Sequence, residues 1–477
     1  LLAGLLCSAG SASVALAAPQ AAGEEPQSLF RWAVTQADLG TVRLPATSTG
    51  AWASGPNGLL YRSVPSFSGD PTFEILVRAP HSGSALYPER LLVQIPAGFT
   101  QKPFHERAVV VGFHKYSVSE KDIFLNTNLP HEAAQRGWML IAPYGLTDTN
   151  FGNPQSQASF AAIAHVLFSI VPFNYRRVYA VGFSMGGLNA LSFAMRHLDR
   201  QQLQFAGVVL HTPTLDMLQT YAGSAPLGQW LLSNAQHFGG TPSMAAFEYE
   251  RVSPVRFFQN GLVDADQAPV VNFAHRPIYL HANLADPNKK LVADLISLRN
   301  FLQQRGATVA EDLVYEPTLG HHWATLKLGP ALDFVSAFEL EVAPVPTVEI
   351  FADDPGRWLH AEVESISPQA RGRFRLELAP LATGMLNSFA LDDTRDLDEI
   401  RLVLKQLGLD GAQPLRLLHS SADGTADLLR LQGFASAPSS ISVNGAAPAW
   451  SSYQSASGEL WLRPTDDGHP VQIDVLP

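Results

Sequence analysis

Ser184 stands in the run Gly182-Phe183-Ser184-Met185-Gly186-Gly187, between an apolar stretch, Val178 to Val181, and a helix-forming segment, Leu188 to Leu198. The pattern is strand, tight turn, helix. A serine on such a turn projects its hydroxyl out of the sheet, while the following helix aims backbone N–H groups at the same point. The residues two before and two after it must be small for so sharp a turn, and both are glycine. The chemistry this permits is nucleophilic attack on an electrophilic carbon, with the developing oxyanion held by N–H groups. The five-residue pattern is short enough to arise by chance, so its partners decide its meaning.

A serine hydroxyl is a poor nucleophile at neutral pH. It needs a base to take its proton and a third group to orient that base. After an expected strand, Thr308 to Tyr315, comes Glu316-Pro-Thr-Leu-Gly320-His321-His322-Trp323, a glycine-bearing loop before the final helix. His321 is the candidate base and His322 its rival. The candidate acid is Asp286, in His281-Ala-Asn-Leu-Ala-Asp286-Pro287, directly after the strand Ile278 to Leu280. Its competing role is to cap the helix that starts at Asn288 or Lys289. Asp264 and Asp266 lie in the long connection after Leu210, which reads as a cap, and are poorer candidates.

These residues require a scaffold that brings strand ends together. Thr72 to Arg78 and Arg90 to Ile95 read as an antiparallel ribbon. Ala108 to Phe113, Trp138 to Ala142, Val178 to Val181, Ala206 to Leu210 and Ile278 to Leu280 are short apolar runs typical of strands buried on both faces. Helical segments at Glu120 to Arg136, Ser156 to Ile170, Leu188 to Leu198 and Lys289 to Gln304 alternate with them. The alternation predicts an α/β fold, a mostly parallel sheet flanked by helices, with ligand sites at the carboxyl ends of the strands. A connection of about 65 residues, Thr212 to His275, is too long for a simple loop and reads as a helical cap. Its aromatics, Tyr221, Trp230, Phe238, Phe247, Tyr249, Phe257 and Phe258, could line a pocket or form the cap's own core.

At 477 residues the chain suggests two or three domains. A linker-like stretch, EVAPVPTVEI, follows Leu340, and alternating segments such as Arg373 to Ala379, Glu399 to Leu404, Ser440 to Gly445 and Glu459 to Arg463 come after it. Turn signals stand at Asn444-Gly445 and Asp467-Gly468. Residues 343–477 are therefore expected to form an all-β, sandwich-like domain, and 23–342 the α/β unit. Trp358, Trp450 and Trp461 suggest either a sugar-binding face or core packing.

The hydrophobic share of 46% and charged share of 16% suit a folded globular protein, and 32 basic against 43 acidic residues give a net charge of −11. That balance argues against nucleic acid and anionic membrane surfaces as partners. Residues 1–22 read as the remnant of a secretory signal, with an A-x-A site at Ala15-Leu16-Ala17, and predict an exported, periplasmic or extracellular protein. A lipoprotein role for Cys7 fits poorly, because Leu6 precedes it. No later run is long enough to span a bilayer.

The stretch from about Leu91 to Leu340 resembles the α/β-hydrolase superfamily, above all the branch of secreted feruloyl esterases, polyhydroxyalkanoate depolymerases and prolyl-oligopeptidase-like enzymes. The resemblance rests on AVVVGFHKYSVSEKDI, AAQRGWMLIAPYG, RVYAVGFSMGG, the Asp286 loop and GHHW. It implies a Ser184, Asp286, His321 triad, in the chain order of that family. It also implies an oxyanion hole formed by the N–H groups of Met185 and Tyr116. Lys115 stands where the family places glycine after the histidine, here His114, and it restricts φ and narrows the site. His114, Lys115, His211 and Trp323 are expected near the substrate, although His211 and His281, each alone at a strand end, also suit a structural role. No cofactor or metal is implied, and His131-Glu132 lacks the second histidine of a zinc-protease pattern. The implied substrate is a small or polymeric carboxylic ester. The alternatives are a peptidase using the same machinery, for which no peptide-terminus anchor is evident, and a non-catalytic binding protein.

Overall fold

The computed structural model describes residues 51–54, 60–66, 68–80, 86–234, 237–341, 343–378, 387–423, 427–464 and 469–477. The segment read as an export signal and the Asp467-Gly468 turn lie outside the described residues.

Runs of valine, isoleucine and leucine become strands because branched side chains pack well on a pleated surface. Among the described residues ten strands form one sheet: β1 (Ala53–Ser54), β2 (Leu60–Val64), β3 (Thr72–Pro80), β4 (Leu86–Gln94), β5 (Val109–Phe113), β6 (Met139–Pro143), β7 (Val178–Phe183), β8 (Gly207–His211), β9 (Ile278–Asn283) and β10 (Val309–Val314). Their order is β1-β2-β3-β4-β6-β5-β7-β8-β9-β10. From β3 onward β4 alone runs against its neighbours, and the strands from β6 to β10 pair in parallel. A second strand reversed and the next two exchanged in space is the α/β-hydrolase arrangement.

Nine helices accompany the sheet: α1 (Lys121–Asn126), α2 (Leu129–Arg136), α3 (Pro154–Ile170), α4 (Met185–Arg196), α5 (Met217–Gly223), α6 (Pro226–Ser233), α7 (Pro242–Val252), α8 (Lys289–Gln304) and α9 (Leu328–Ser336), among the described residues. Successive strand residues point to opposite faces. Val109, Val111 and Phe113 therefore share a core with α3, α4 and α8, while Ala108 and Val110 share one with α1, α2 and α9. The single helix expected over Glu120 to Arg136 is two. Thr127 breaks it, its hydroxyl donating to Ile123 O at 2.6 Å and accepting from Leu129 N at 3.0 Å, while Pro130 has no N–H to continue the ladder.

The insertion after β8 carries α5, α6 and α7. Phe238 and Tyr249 stack at 4.4 Å and bury against Met185 and Leu188 of α4. Tyr221 packs against this cluster, Phe257 belongs to the core that β5 shares with α3, α4 and α8, and Trp230 and Phe258 are exposed. No helix of the described residues is long and apolar enough to cross a membrane.

Among the described residues the C-terminal part forms two six-stranded sheets. One runs in the order Thr347–Ala352, Gly372–Glu377, Ser388–Arg395, Leu415–Ser421, Val471–Leu476, Ser440–Val443; the other is Gly356–Trp358, Ala361–Ile366, Leu397–Val403, Leu428–Gln432, Glu459–Leu462, Ser451–Gln454. Alternate residues of both face one shared core. Trp358 is buried in that core, Trp461 lies under the Arg430 guanidinium at 4.7 Å, and Trp450 is exposed, so the three make no common binding face.

The two parts are joined by buried polar contacts. Asn272 donates to Met195 O and to Phe351 O, each at 2.9 Å, and accepts from Phe351 N at 2.7 Å. Asp353 is clamped between Arg196 at 2.7 Å and Arg251 at 2.9 Å. Burial alone would raise the Asp353 pKa, but the two guanidinium groups outweigh it and hold the carboxyl below its ordinary value of 3.8. A depressed folded-state pKa gives stability that is complete above the unfolded value and is lost as pH falls through the folded one. Asp353→Asn leaves two buried cations without their buried partner, with the more exposed Asp354 still beside both, and is expected to cost about 3 kcal/mol at neutral pH, with the difference from wild type closing below pH 4. Urea denaturation at pH 7 and pH 3 measures both; equal midpoints at pH 7 would show that the clamp is not a stabilising contact.

Candidate active site

Ser184 follows β7 and caps α4 with φ 56° and ψ −118°, a region that residues with side chains rarely occupy. Close packing leaves the chain no other route. A Cβ on Gly182 would lie 2.0 Å from Gly186 O, and one on Gly186 would lie 2.1 Å from Phe113 O and 2.6 Å from His114 O. The two glycines therefore let β7, α4 and the end of β5 approach backbone to backbone. Two further bonds fix the turn, Ser184 N to His211 O at 3.0 Å and Thr214 N to Ser184 O at 3.1 Å. Met185 is the first residue of α4, so its N–H has no intrahelical acceptor and lies beside the serine.

The loops after β9 and β10 bring Asp286 and His321 together, with His321 Nδ1 and Asp286 Oδ2 2.6 Å apart. Asp286 is fully buried, and its other oxygen accepts from Asn288 N at 2.8 Å. It thus both caps the approach to α8 and meets the histidine. His322 is engaged elsewhere: its Nδ1 accepts from Ala324 N at 3.1 Å, capping the short helix Trp323–Thr325. The residue that ties the two loops escaped the sequence reading. Asn283, at the end of β9, donates to Glu316 O at 2.9 Å and Gly320 O at 3.0 Å and accepts from Glu316 N at 2.9 Å. Its only signal was a polar residue closing an apolar strand.

Phe183 forms a floor under the site. Its ring lies 4.3 Å from His321, 4.3 Å from His211 and 5.2 Å from Trp323. Trp323 is buried with Nε1 donating to Asp122 Oδ2 at 2.8 Å, so it supports the floor rather than facing a substrate. His211 is fully buried as well, which corrects its expected place in a pocket. It donates from Nε2 to His322 O at 3.0 Å, which leaves Nδ1 to accept from His281 Nδ1 at 2.9 Å. Burial first, then the neighbouring histidine, pushes His211 down to about 3, and burial pushes His281 down to about 4. Both are neutral struts behind the His321 loop. Among the described residues no group of three or more His, Cys, Asp or Glu is placed to hold a metal ion.

His114 is also buried, with ring nitrogens 2.9 Å from Lys115 O and 2.9 Å from Tyr144 O, so it organises the loop after β5 and does not line a pocket. Lys115 is the exception among the expected pocket residues. It is partly exposed, with Nζ 6.0 Å from the Phe183 ring and 4.0 Å from Asp122. The constraint expected from replacing glycine does not arise, because the positive φ of this loop falls at Ser117, at 61°, and not at Lys115. Tyr116 is half exposed and packs on Phe151 at 5.5 Å.

The loop from Tyr144 to Asn153 closes this side. Asn150 accepts from Asn189 of α4 at 2.7 Å, and Ser117 N donates to Asp148 O at 2.8 Å. Beneath it sits Glu89, fully buried, which accepts from Gly145 N and Leu146 N, each at 2.7 Å. Burial pushes Glu89 up to about 7 despite these bonds and a third from Ser159. A raised folded-state pKa means that the folded chain holds a proton the unfolded chain has lost. The contribution of Glu89 to stability is therefore expected to fall as pH rises from about 4.5 to about 7, by about 3 kcal/mol. Glu89→Gln should remove that slope. Denaturation midpoints of both proteins across pH 5 to 7.5 check it, and parallel curves would contradict it.

No protein-family model matches the sequence, and none of the curated proteins matches it. Solved structures do resemble it in outline. The fluorophosphonate-binding serine hydrolase FphF of Staphylococcus aureus has 13% identity and a TM-score of 0.41 over 56% of this chain and 98% of that one. A ferulic acid esterase has 13% identity and a TM-score of 0.39 over 56% and 98%. Dipeptidyl peptidase 4 of Porphyromonas gingivalis has 10% identity and a TM-score of 0.35 over 61% and 50%. These scores are too low to carry weight, and the assignment of the α/β-hydrolase fold rests on the strand order and the Ser184 turn themselves.

Proposed function

We propose that this protein is a serine hydrolase that cleaves carboxylic esters through an acyl-enzyme. The observation that carries the reading is the 2.6 Å contact of His321 with a fully buried Asp286, the imidazole resting on Phe183, the residue that precedes a serine held at φ 56°. Asp286 engages Nδ1, which leaves Nε2 for the Ser184 proton. Ser184 Oγ attacks the ester carbonyl as His321 takes that proton. His321 then returns it to the leaving alcohol, and water repeats the cycle to release the acid. The N–H groups of Met185 and Tyr116 hold the oxyanion, each donor contributing about 3 kcal/mol to the transition state. Ser184 and His321 are not hydrogen-bonded to one another in this structure, and such contacts tighten when substrate arrives. The same reading places the protein outside the cytoplasm, supported by the apolar, small-residue composition of residues 1–22.

Purified wild type, Ser184→Ala, His321→Ala and His322→Ala are to be assayed on short and long p-nitrophenyl esters, a feruloyl ester, a polyester film and an aminoacyl anilide. Ser184→Ala and His321→Ala should each lose at least about 10³-fold in ester kcat/KM, and His322→Ala less than about tenfold. Ester turnover surviving in Ser184→Ala would remove the proposed nucleophile. Anilide cleavage well above ester cleavage would make the protein a peptidase, and no turnover of any substrate would leave a binding protein on this fold.

A further inference from the structure

A cavity of about 150 Å³ lies at the edge of the sheet opposite Ser184, where the C-terminal sheets meet the α/β unit. Its walls come from the residues that lead into β7, β8 and β9, from the connection around Phe338 to Glu341, and from Leu359. A water molecule occupies about 30 Å³ of liquid, so the space holds a small polyatomic ligand with its hydration.

The lining is built around a buried cation that lacks a counter-charge. Arg276 is 7% exposed. Its guanidinium donates to Phe205 O at 2.9 Å and to Gln204 Oε1 at 2.6 Å. Among the described residues no carboxylate lies within ion-pairing distance of it; its two hydrogen bonds use two of its five N–H donors, and the guanidinium lies 5.3 Å from the centroid of the Phe273 ring. Burial, then the nearby Arg200, pushes the Arg276 guanidinium down to about 9. Gln204 is 4% exposed, also lines the cavity, and its Nε2 is buried without an acceptor. Buried donors left unsatisfied cost about 1–3 kcal/mol each, more when charged, and native chains rarely keep them without a reason.

The other charged groups around the cavity are arranged by depth. Glu339 is drawn to Arg176 at 3.6 Å and Arg177 at 3.5 Å and is 41% exposed. Glu341 is exposed at the rim. Arg200 donates to Ala343 O at 2.9 Å. Burial first, then Arg276, His360 and Arg200, holds His275 well below its usual pKa, and neutral. The acids thus stand at the mouth, while the interior presents positive charge and an amide donor. We propose that this cavity binds a small oxyanion, either an inorganic phosphate or sulfate or a short carboxylate, which accepts from Gln204 Nε2 and the Arg276 guanidinium.

Thermal unfolding of the full chain, followed at constant ionic strength against sodium phosphate, sulfate and acetate with chloride as the balancing salt, tests the site. A saturable rise in Tm with at least one of the three supports it. Saturation by phosphate or sulfate alone identifies the inorganic ligand, and saturation by acetate alone the carboxylate. Gln204→Glu supplies the missing carboxylate to Arg276 and removes the amide donor. It should fold, unfold at a higher temperature than wild type without anion, and need at least about tenfold more anion for the same response. Ser184→Ala should respond as wild type does. No saturable response to any of the three anions, an unchanged midpoint in Gln204→Glu, or loss of the response in Ser184→Ala would overturn the proposal.

Discussion

Ser184 holds a backbone conformation that costs about 1–3 kcal/mol for a residue with a side chain, and the rest of the site depends on that cost being met. It is met by packing. The backbones of β7, α4 and the end of β5 meet where Gly182 and Gly186 have no Cβ, at separations that a single methyl group would make impossible. Once the three segments are locked, the direction of the serine hydroxyl follows, as do the first N–H groups of α4. The hydrogen bonds from Ser184 N to His211 O and from Thr214 N to Ser184 O carry the constraint on into β8.

The support behind His321 is of a different kind. A floor of aromatic rings centred on Phe183 fixes the height of the imidazole, and hydrogen bonds fix its loop. Asn283 binds the loop from below through the Glu316 and Gly320 backbone, and the His281–His211 pair holds the His322 carbonyl. Burial keeps both of those histidines neutral across the physiological range, so the struts do not change charge when the pH changes. A neutral, fully buried support suits a loop whose partly exposed His321 is proposed to gain and lose a proton in each cycle.

Much of the scaffold was legible because strands buried on both faces must be apolar throughout, and β5 to β9 read as such runs. The Ser184 turn was legible because its glycines answer to a local steric demand. What was hidden depends on partners distant in sequence. Glu89 looks like an ordinary strand residue until Gly145 and Leu146, 56 and 57 positions away, donate to it. His321 and His322 are chemically alike, and only the loop path decides which one meets Asp286. Lys115 shows the opposite error. Lysine in place of the family's glycine implied a restricted φ at that position, whereas the positive φ of this loop falls at Ser117. His114, His211 and Trp323 share the pattern of residues near a site in sequence that are buried beneath it in space, because polar side chains at strand ends can point into the layer that carries the loops as readily as outward.

The central claim is that Ser184 is a nucleophile activated by His321. Labelling with a fluorophosphonate, followed by mapping of the adduct by mass spectrometry, tests it without assuming a substrate. The account predicts a single adduct on Ser184 in the wild type, none in Ser184→Ala, and labelling of His321→Ala slowed by at least about 10³-fold. An adduct on another residue, or a labelling rate unchanged in His321→Ala, would contradict it.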